Sequence, residues 1–189
     1  MGPVAIVLLS GFSEERHLQL SNFIKQHTKI NEQKPDFWDV HLSEKTLIGK
    51  KEIKNLRPFL ITFQMQNADL EDLDYSIIGF KHSFQLELAA MCNDKIDHQL
   101  LAELCIVFAK MFDGLINLNG AITPPQNEVK NKLKNYPYVS AEEAIAYSNT
   151  ISGINHIVRY GTDNEWFVQI IDVEYLQNWL LHKDFRMIK

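Results

Sequence analysis

The chain has 189 residues, of which 46% are hydrophobic and 23% are charged. This composition is that of an ordinary soluble globular protein, and it excludes a wholly disordered, collagen-like or fibrous chain. The 19 basic and 24 acidic residues give a net charge of −5, which argues against a general nucleic-acid binder. The length is typical of one domain, so residues 1–189 are predicted to form a single domain.

The start of the chain carries no targeting or membrane signal. Its apolar run, Val4–Leu9, is far shorter than the ~20 residues that a membrane helix needs, and no Lys or Arg precedes it. Cys92 and Cys105 could in principle pair, but two cysteines do not make a disulfide scaffold. Cys105 lies within an amphipathic helical pattern, which indicates a buried thiol. We therefore expect a cytoplasmic protein that binds neither membranes nor nucleic acid.

The first third of the chain alternates between strand and helix patterns. Val4–Leu9 is apolar and predicts a buried strand, and Ser13 predicts the N-cap of a helix because two glutamates follow it. Residues 31–36 are polar and predict a loop, after which Phe37–Leu42 predicts a strand. Apolar and polar residues alternate over 59–65, which predicts a half-buried strand.

The middle of the chain holds the strongest helix signal. Phe84–Ala90 alternates and predicts another strand, and Asp94 follows as a helix N-cap. A wide apolar stripe then continues to Phe112. Gly114 is predicted to end this helix in the left-handed C′ position, before a short strand over 115–118.

The last third predicts two helices and a hairpin. Ser140 begins a capping box, which predicts a helix to about Asn149. Segments 154–160 and 165–171 flank a four-residue turn signal and predict a β-hairpin. Asp172 is predicted to cap a final helix.

Together these elements predict an α+β fold. The hairpin and the alternating strands favour a mostly antiparallel sheet, with about four helices packed on it. The chain end retains Phe185, Met187 and Ile188, whereas chain ends are normally polar and frayed. We expect this end to pack back onto the domain as a strand or cap, the alternative being a partner-binding edge.

The sequence offers few candidates for chemistry. No glycine-rich phosphate loop is present, so no nucleotide cofactor is expected. Cys92, Asp94, Asp97 and His98 lie close together in sequence and could bind zinc, although a capped helix start explains them better. We assign neither a metal ligand nor a catalytic residue there, and we expect His98 to bond a neighbouring loop.

A nuclease-like pattern gives the alternative function. Asp36 follows Pro35, and Glu52 and Lys54 follow later, which matches a degenerate Pro-Asp…Glu-x-Lys pattern of metal-dependent nucleases. In that pattern two acids hold Mg²⁺ and the lysine orients water or steadies charge. The flanks of Glu52 are basic and typical of a solvated loop, so a small metal-dependent hydrolase or nuclease stays the second hypothesis.

An acidic stretch is the candidate partner-binding site. Four carboxylates, Asp69, Glu71, Asp72 and Asp74, lie within six residues. Such a cluster can steer and dock a basic protein partner, although a solvated acidic loop would have the same composition.

The second half of the chain resembles an uncharacterised bacterial domain family. The similarity lies in Asp-His-x-x-Leu at 97–101, in Gly-Leu-Ile…Gly at 114–120, and in the ending Trp-Leu-x-His-x-x-Phe-Arg-Met-Ile-Lys at 179–189. Asn117 departs from the family pattern, which has Asp there. The resemblance implies a possible immunity protein that neutralises a cognate toxin. We therefore expect a non-enzymatic protein-binding domain with no cofactor, and leave its oligomeric state open.

Overall fold

The structure is a computed structural model. It describes residues 2–11, 13–42, 57–65, 78–79, 82–125, 132–133, 136–137, 139–160 and 166–188. The acidic stretch at 69–74 lies outside the described residues, as do Glu52 and Lys54. The partner-binding and nuclease hypotheses for those residues therefore stay predictions.

The described residues form four helices and ten strands in an α+β arrangement. The helices are α1 (Glu14–His27), α2 (Lys95–Phe112), α3 (Ala141–Ser148) and α4 (Val173–Leu180). The strands are β1 (Val4–Leu9), β2 (Thr28–Lys34), β3 (Phe37–Leu42), β4 (Arg57–Met65), β5 (Phe84–Ala90), β6 (Leu115–Asn117), β7 (Lys132–Leu133), β8 (Tyr136–Pro137), β9 (Asn155–Tyr160) and β10 (Trp166–Ile171).

Eight of the strands form one sheet, in the order β2-β3-β4-β5-β1-β6-β10-β9. Every neighbouring pair in it is antiparallel. Strands β7 and β8 pair separately. The predicted α+β class, with a mostly antiparallel sheet and four helices, is confirmed.

The main core lies between the sheet and helix α2. Helix α2 contacts β1, β5 and α4, and its apolar stripe is buried against them. Alternate residues of β1, Ala5, Val7 and Leu9, point into this core and are fully buried. The apolar face of the strands and the apolar stripe of α2 thus form one interface. Burial of apolar surface there stabilises the fold by about 25 cal/mol per Å².

The predicted loop at 31–36 is wrong. Residues Thr28–Lys34 form strand β2, and only Pro35 and Asp36 make the turn to β3. Strand β2 is at the edge of the sheet, where β3 is its one partner among the described strands, and its residues are mostly exposed. An edge strand that buries little needs no apolar alternation, so the polar sequence did not reveal it.

The predicted role of Gly114 at the end of α2 is also wrong. The left-handed residue is Asp113, with φ 54°, and its backbone N–H donates to the carbonyl oxygen of Ala109. A side chain on Gly114 would place its Cβ 2.6 Å from the carbonyl oxygen of Leu8 on strand β1. Gly114 is therefore needed for close packing between α2 and the sheet.

The predicted helix caps are found where the sequence placed them. The side chains of Ser13, Ser140 and Asp172 accept hydrogen bonds from backbone N–H groups three residues later, at the starts of α1, α3 and α4. None of the helices in the described part of the chain has the length and apolar character to cross a membrane.

Candidate binding groove at the start of helix α2

A buried ion pair fixes the first turn of helix α2 to strand β4. Asp97 is fully buried, and its carboxylate accepts hydrogen bonds from Nε and Nη2 of Arg57 at 2.7 and 2.5 Å. The same Nη2 donates to Asp94 at 2.6 Å. The backbone N–H of Asp94 donates to Asp97 at 2.7 Å, as a capping residue requires.

These contacts set the ionisation of both partners. Burial disfavours a charged Asp97, but the hydrogen bonds from Arg57 and Asp94 and the charge of Arg57 outweigh it and lower the pKa of Asp97. Hydrogen bonds to Asp97 and Asp94 raise the pKa of Arg57. Both groups stay charged, and the carboxylate of Asp97 fixes the first turn of α2.

His98, the next residue, faces the end of the chain. Its Nδ1 accepts a hydrogen bond of 2.9 Å from the backbone N–H of Met187, so the ring proton lies on Nε2 when His98 is neutral. Nε2 is 3.2 Å from Oδ1 of Asn93, to which it then donates. The expectation that His98 bonds a neighbouring loop is confirmed at Asn93, and its second bond, to Met187, reaches a segment 89 positions away.

The C-terminal segment, residues 181–188, is held along its length. The indole Nε1 of Trp179 donates to the carbonyl oxygen of Arg186 at 2.8 Å, and the hydroxyl of Tyr147 donates to Asp184 at 3.0 Å. Met187 is 2% exposed. The chain end therefore packs back onto the domain, as predicted, but as an irregular cap and not as a strand.

The opposite wall of the site, residues 121–125, is positioned by Gln169 of strand β10. Gln169 is fully buried, and its Oε1 accepts from the backbone N–H of Ile122 at 2.9 Å. Its Nε2 donates to the hydroxyls of Ser148 and Tyr175 at 2.6 and 2.9 Å. Burial raises the pKa of Tyr175, so its hydroxyl keeps the proton that it donates to the carbonyl oxygen of Ser148.

Two adjoining shallow cavities, of about 390 and 420 Å³, lie between these walls. Both are lined by Asn93, His98 and Arg186. We call them together the His98 groove, and its remaining lining residues are Lys95, Ala121, Thr123, Pro125, Lys183, Asp184, Phe185, Met187 and Ile188.

The rim of the His98 groove is cationic. Lys95, Lys183 and Arg186 are exposed and face one acid, Asp184. Arg186 donates to the hydroxyl of Thr123 at 3.0 Å. In the described part of the chain no carboxylate pairs with Arg186 or Lys95, so both cations are available to an anionic group.

The zinc hypothesis at the start of α2 is not supported by the geometry. Among the described residues no group of three or more His, Cys, Asp or Glu side chains is placed to hold a metal ion. Asp97 is occupied by Arg57, and Nδ1 of His98 by Met187. Cys92 is half-buried, whereas Cys105 is buried in α2, where burial raises the pKa of its thiol.

Asp36, the first residue of the nuclease-like pattern, lies in the turn between β2 and β3. Its φ is 60°, and its carboxylate is 3.3 Å from Nε2 of His17. Its side chain is 53% exposed. In the part of the chain that the structure describes, Asp36 therefore lies in an exposed hairpin turn.

Sequence reasoning did not identify Arg57 or Gln169. Arg57 begins an apolar strand after a lysine-rich stretch. A single charge at the start of such a strand was the sign in the sequence that could have indicated an ion pair. Gln169 is a polar residue in the apolar run of β10, flanked by Val168 and Ile170. A polar residue at such a position indicates a buried hydrogen-bonding role, but not with which partner.

A protein-family model matches the chain over residues 1–189, which is its full length. The chain belongs to this family, a family of unknown function, DUF6368. No curated protein and no solved structure matches the chain. The expected membership of an uncharacterised family is thereby confirmed for this DUF6368 protein, while the link to toxin immunity stays a proposal.

Proposed function

We propose that this DUF6368 protein is a non-enzymatic protein-binding domain, and that the His98 groove is part of its binding surface. The observation that carries the proposal is the fixation of the chain end. Trp179, Tyr147 and His98 bind residues 184–187, so the backbone that carries the exposed Arg186 is held in place. A surface that is ordered before binding loses less entropy when a partner docks.

The polar groups below the groove favour binding over catalysis. Asp97 neutralises Arg57, and both ring nitrogens of His98 have partners within the fold. A general acid or base must instead reach the substrate. The groups that do face solvent at the rim are Lys95, Lys183 and Arg186, which are suited to ion pairs with a partner.

The finer proposal is an immunity protein that covers a cognate toxin. It is supported by the resemblance of the 97–120 and 179–189 segments and by the net charge of −5. The stretch Asp69, Glu71, Asp72 and Asp74 would add a second docking surface, for a basic region of the partner. The competing hydrolase or nuclease function has no observation in its favour among the described residues.

Co-expression in cells tests this proposal. An immunity role predicts a large toxin gene directly upstream of the gene for this chain. The two gene products would be produced together in cells, and growth would be scored. We expect protection from growth arrest and a complex of the two proteins by size-exclusion chromatography. Arrest without protection, together with the absence of a complex, would overturn the immunity role.

Charge variants at the groove connect any protection to this site. The variant K95Q/R186Q removes two rim charges, and K25Q/K29Q removes two exposed lysines near the end of α1 and in β2 as a matched control. We expect the first variant to weaken protection and the second to leave it unchanged. Equal protection by both would exclude the His98 groove from the binding surface.

A further inference from the structure

We infer that the His98 groove binds an acidic segment of a partner protein, with carboxylates paired to Arg186 and Lys95. This inference rests on the proposed binding function and adds the chemistry of the partner. Its basis is the charge of the residues that line the groove and the bonds that each nearby acid already makes.

The charge of the groove is opposite to that of the whole protein. The chain has a net charge of −5, yet the rim holds three cations, Lys95, Lys183 and Arg186, against Asp184. The N-terminus of α2 is not counted in this balance, because Asp94 and Asp97 lie there and share the single cation Arg57. A local field of this sign attracts acidic groups although the chain as a whole repels them.

The acids beside the groove are already engaged. Asp184 accepts from the hydroxyl of Tyr147 and lies 3.8 and 3.9 Å from the side-chain nitrogens of His182 and Lys183. Asp94 is bound to Arg57. The acids therefore leave Arg186 and Lys95 without a carboxylate partner in the described part of the chain.

Arg186 is the best placed anchor for a carboxylate. Its carbonyl oxygen accepts a hydrogen bond from Trp179, and Nη2 of its guanidinium donates to Thr123 across the groove. The guanidinium has five N–H donors, so others remain for a ligand. An arginine whose backbone and guanidinium are both held binds a carboxylate at a lower entropic cost than a free lysine does.

The other end of helix α2 provides an internal control of opposite charge. A cavity of about 490 Å³ is lined there by Lys110, Asp113, Asp172 and Glu174, so acids outnumber the cation. The C-terminus of α2 adds a partial negative charge. The same molecule thus carries a cationic and an acidic groove of similar size, and an acidic segment is expected only at the first.

A titration with charged peptides tests the inference on the full chain. ¹⁵N-labelled protein at low salt is titrated with hexaglutamate and, separately, with hexalysine. We expect hexaglutamate to shift the amides of residues 93–98 and 183–187, and not those of 109–114. In K95Q/R186Q its affinity should fall about tenfold, because two exposed ion pairs with the peptide are lost, while K25Q/K29Q should bind as before.

Three results would overturn the inference: no shift at 93–98 and 183–187 with hexaglutamate, equal shifts with hexalysine, or salt-sensitive self-association that K95Q/R186Q abolishes. The last result would make a second copy of the chain the occupant. The outcome is separable from the proposed function. Hexaglutamate binding without protection in cells would contradict only the immunity role. Protection that K95Q/R186Q retains would instead contradict the acidic partner and the role of the His98 groove in binding, and would leave the immunity role standing.

Discussion

The backbone N–H of Met187 donates a hydrogen bond to Nδ1 of His98 over 2.9 Å, although 89 positions separate the two residues. This bond joins the first turn of the central helix to the last residues of the chain. It fixes both the tautomer of the imidazole and the course of the segment that carries Arg186. The shape of the His98 groove therefore depends on this contact.

Replacing His98 should loosen the chain end. In H98L the N–H of Met187 loses its acceptor, so its amide should exchange with solvent faster and stability should fall by about 1–2 kcal/mol. Hydrogen exchange measured by NMR checks this. K95Q, in the same turn but without a bond to the tail, is the control. Unchanged protection of Met187 in H98L would contradict the interpretation.

The neutral tautomer of His98 can be observed directly. Because Nδ1 accepts from Met187, the ring proton should lie on Nε2. Long-range ¹H–¹⁵N spectra distinguish the two tautomers, and the loss of the signal in H98L assigns it. A proton on Nδ1 at neutral pH would refute the hydrogen bond.

Removing the carboxylate of Asp97 should lower the free energy of unfolding more than removing an exposed carboxylate nearby. D97A leaves Arg57 without its main partner, and breaking a buried pair costs about 3–5 kcal/mol. The control is D94A, since Asp94 is 73% exposed and its loss as an N-cap should cost about 1 kcal/mol. Urea unfolding measures both. Equal losses would show that the pair does not stabilise the fold.

Stability should fall on acidification in two steps. His82 is 1% exposed, and burial lowers its pKa below the ordinary 6.5, so below about pH 6.5 the unfolded chain gains a proton that the folded chain does not. The free energy of unfolding therefore decreases as the pH falls. The lowered pKa of Asp97 adds a second loss, as the pH falls below about 3.8.

The variant H82Q isolates the first step. Glutamine does not titrate, so the free energy of unfolding of H82Q should change less than that of the wild type between about pH 7.5 and 5.5. Urea titrations across this range measure the slopes. Identical slopes in the two proteins would show that His82 does not cause the loss.

Gln169 should be among the polar residues on which stability depends most. Q169L leaves the N–H of Ile122 and the hydroxyls of Ser148 and Tyr175 with fewer partners, and we expect a loss of about 3 kcal/mol. Q177L, at an exposed position of α4, is the matched control and should stay within about 0.5 kcal/mol of the wild type. If both variants are equally stable, the network does not hold the groove wall.

Local signals were enough for the capped helices and the alternating strands. The sequence predicts Ser13 and Asp172 as caps because a cap acts within one helical turn. In the structure each side chain accepts a hydrogen bond from the backbone N–H three residues later. Strand β2 was missed because it is an edge strand stabilised by its partner β3 and not by its own side-chain pattern. The left-handed residue Asp113 was missed because glycine is the commoner choice at that position.

The sequence by itself determined the α+β class, the order of the main elements and the helix cap at Asp94. Only the tertiary structure decided that Asp97 binds Arg57, 40 positions away, and that His98 binds Met187. The physical reason is the range of the interactions. Helix periodicity and caps act over a few residues, whereas the groove is made by side chains that meet only after the sheet and α2 have packed together.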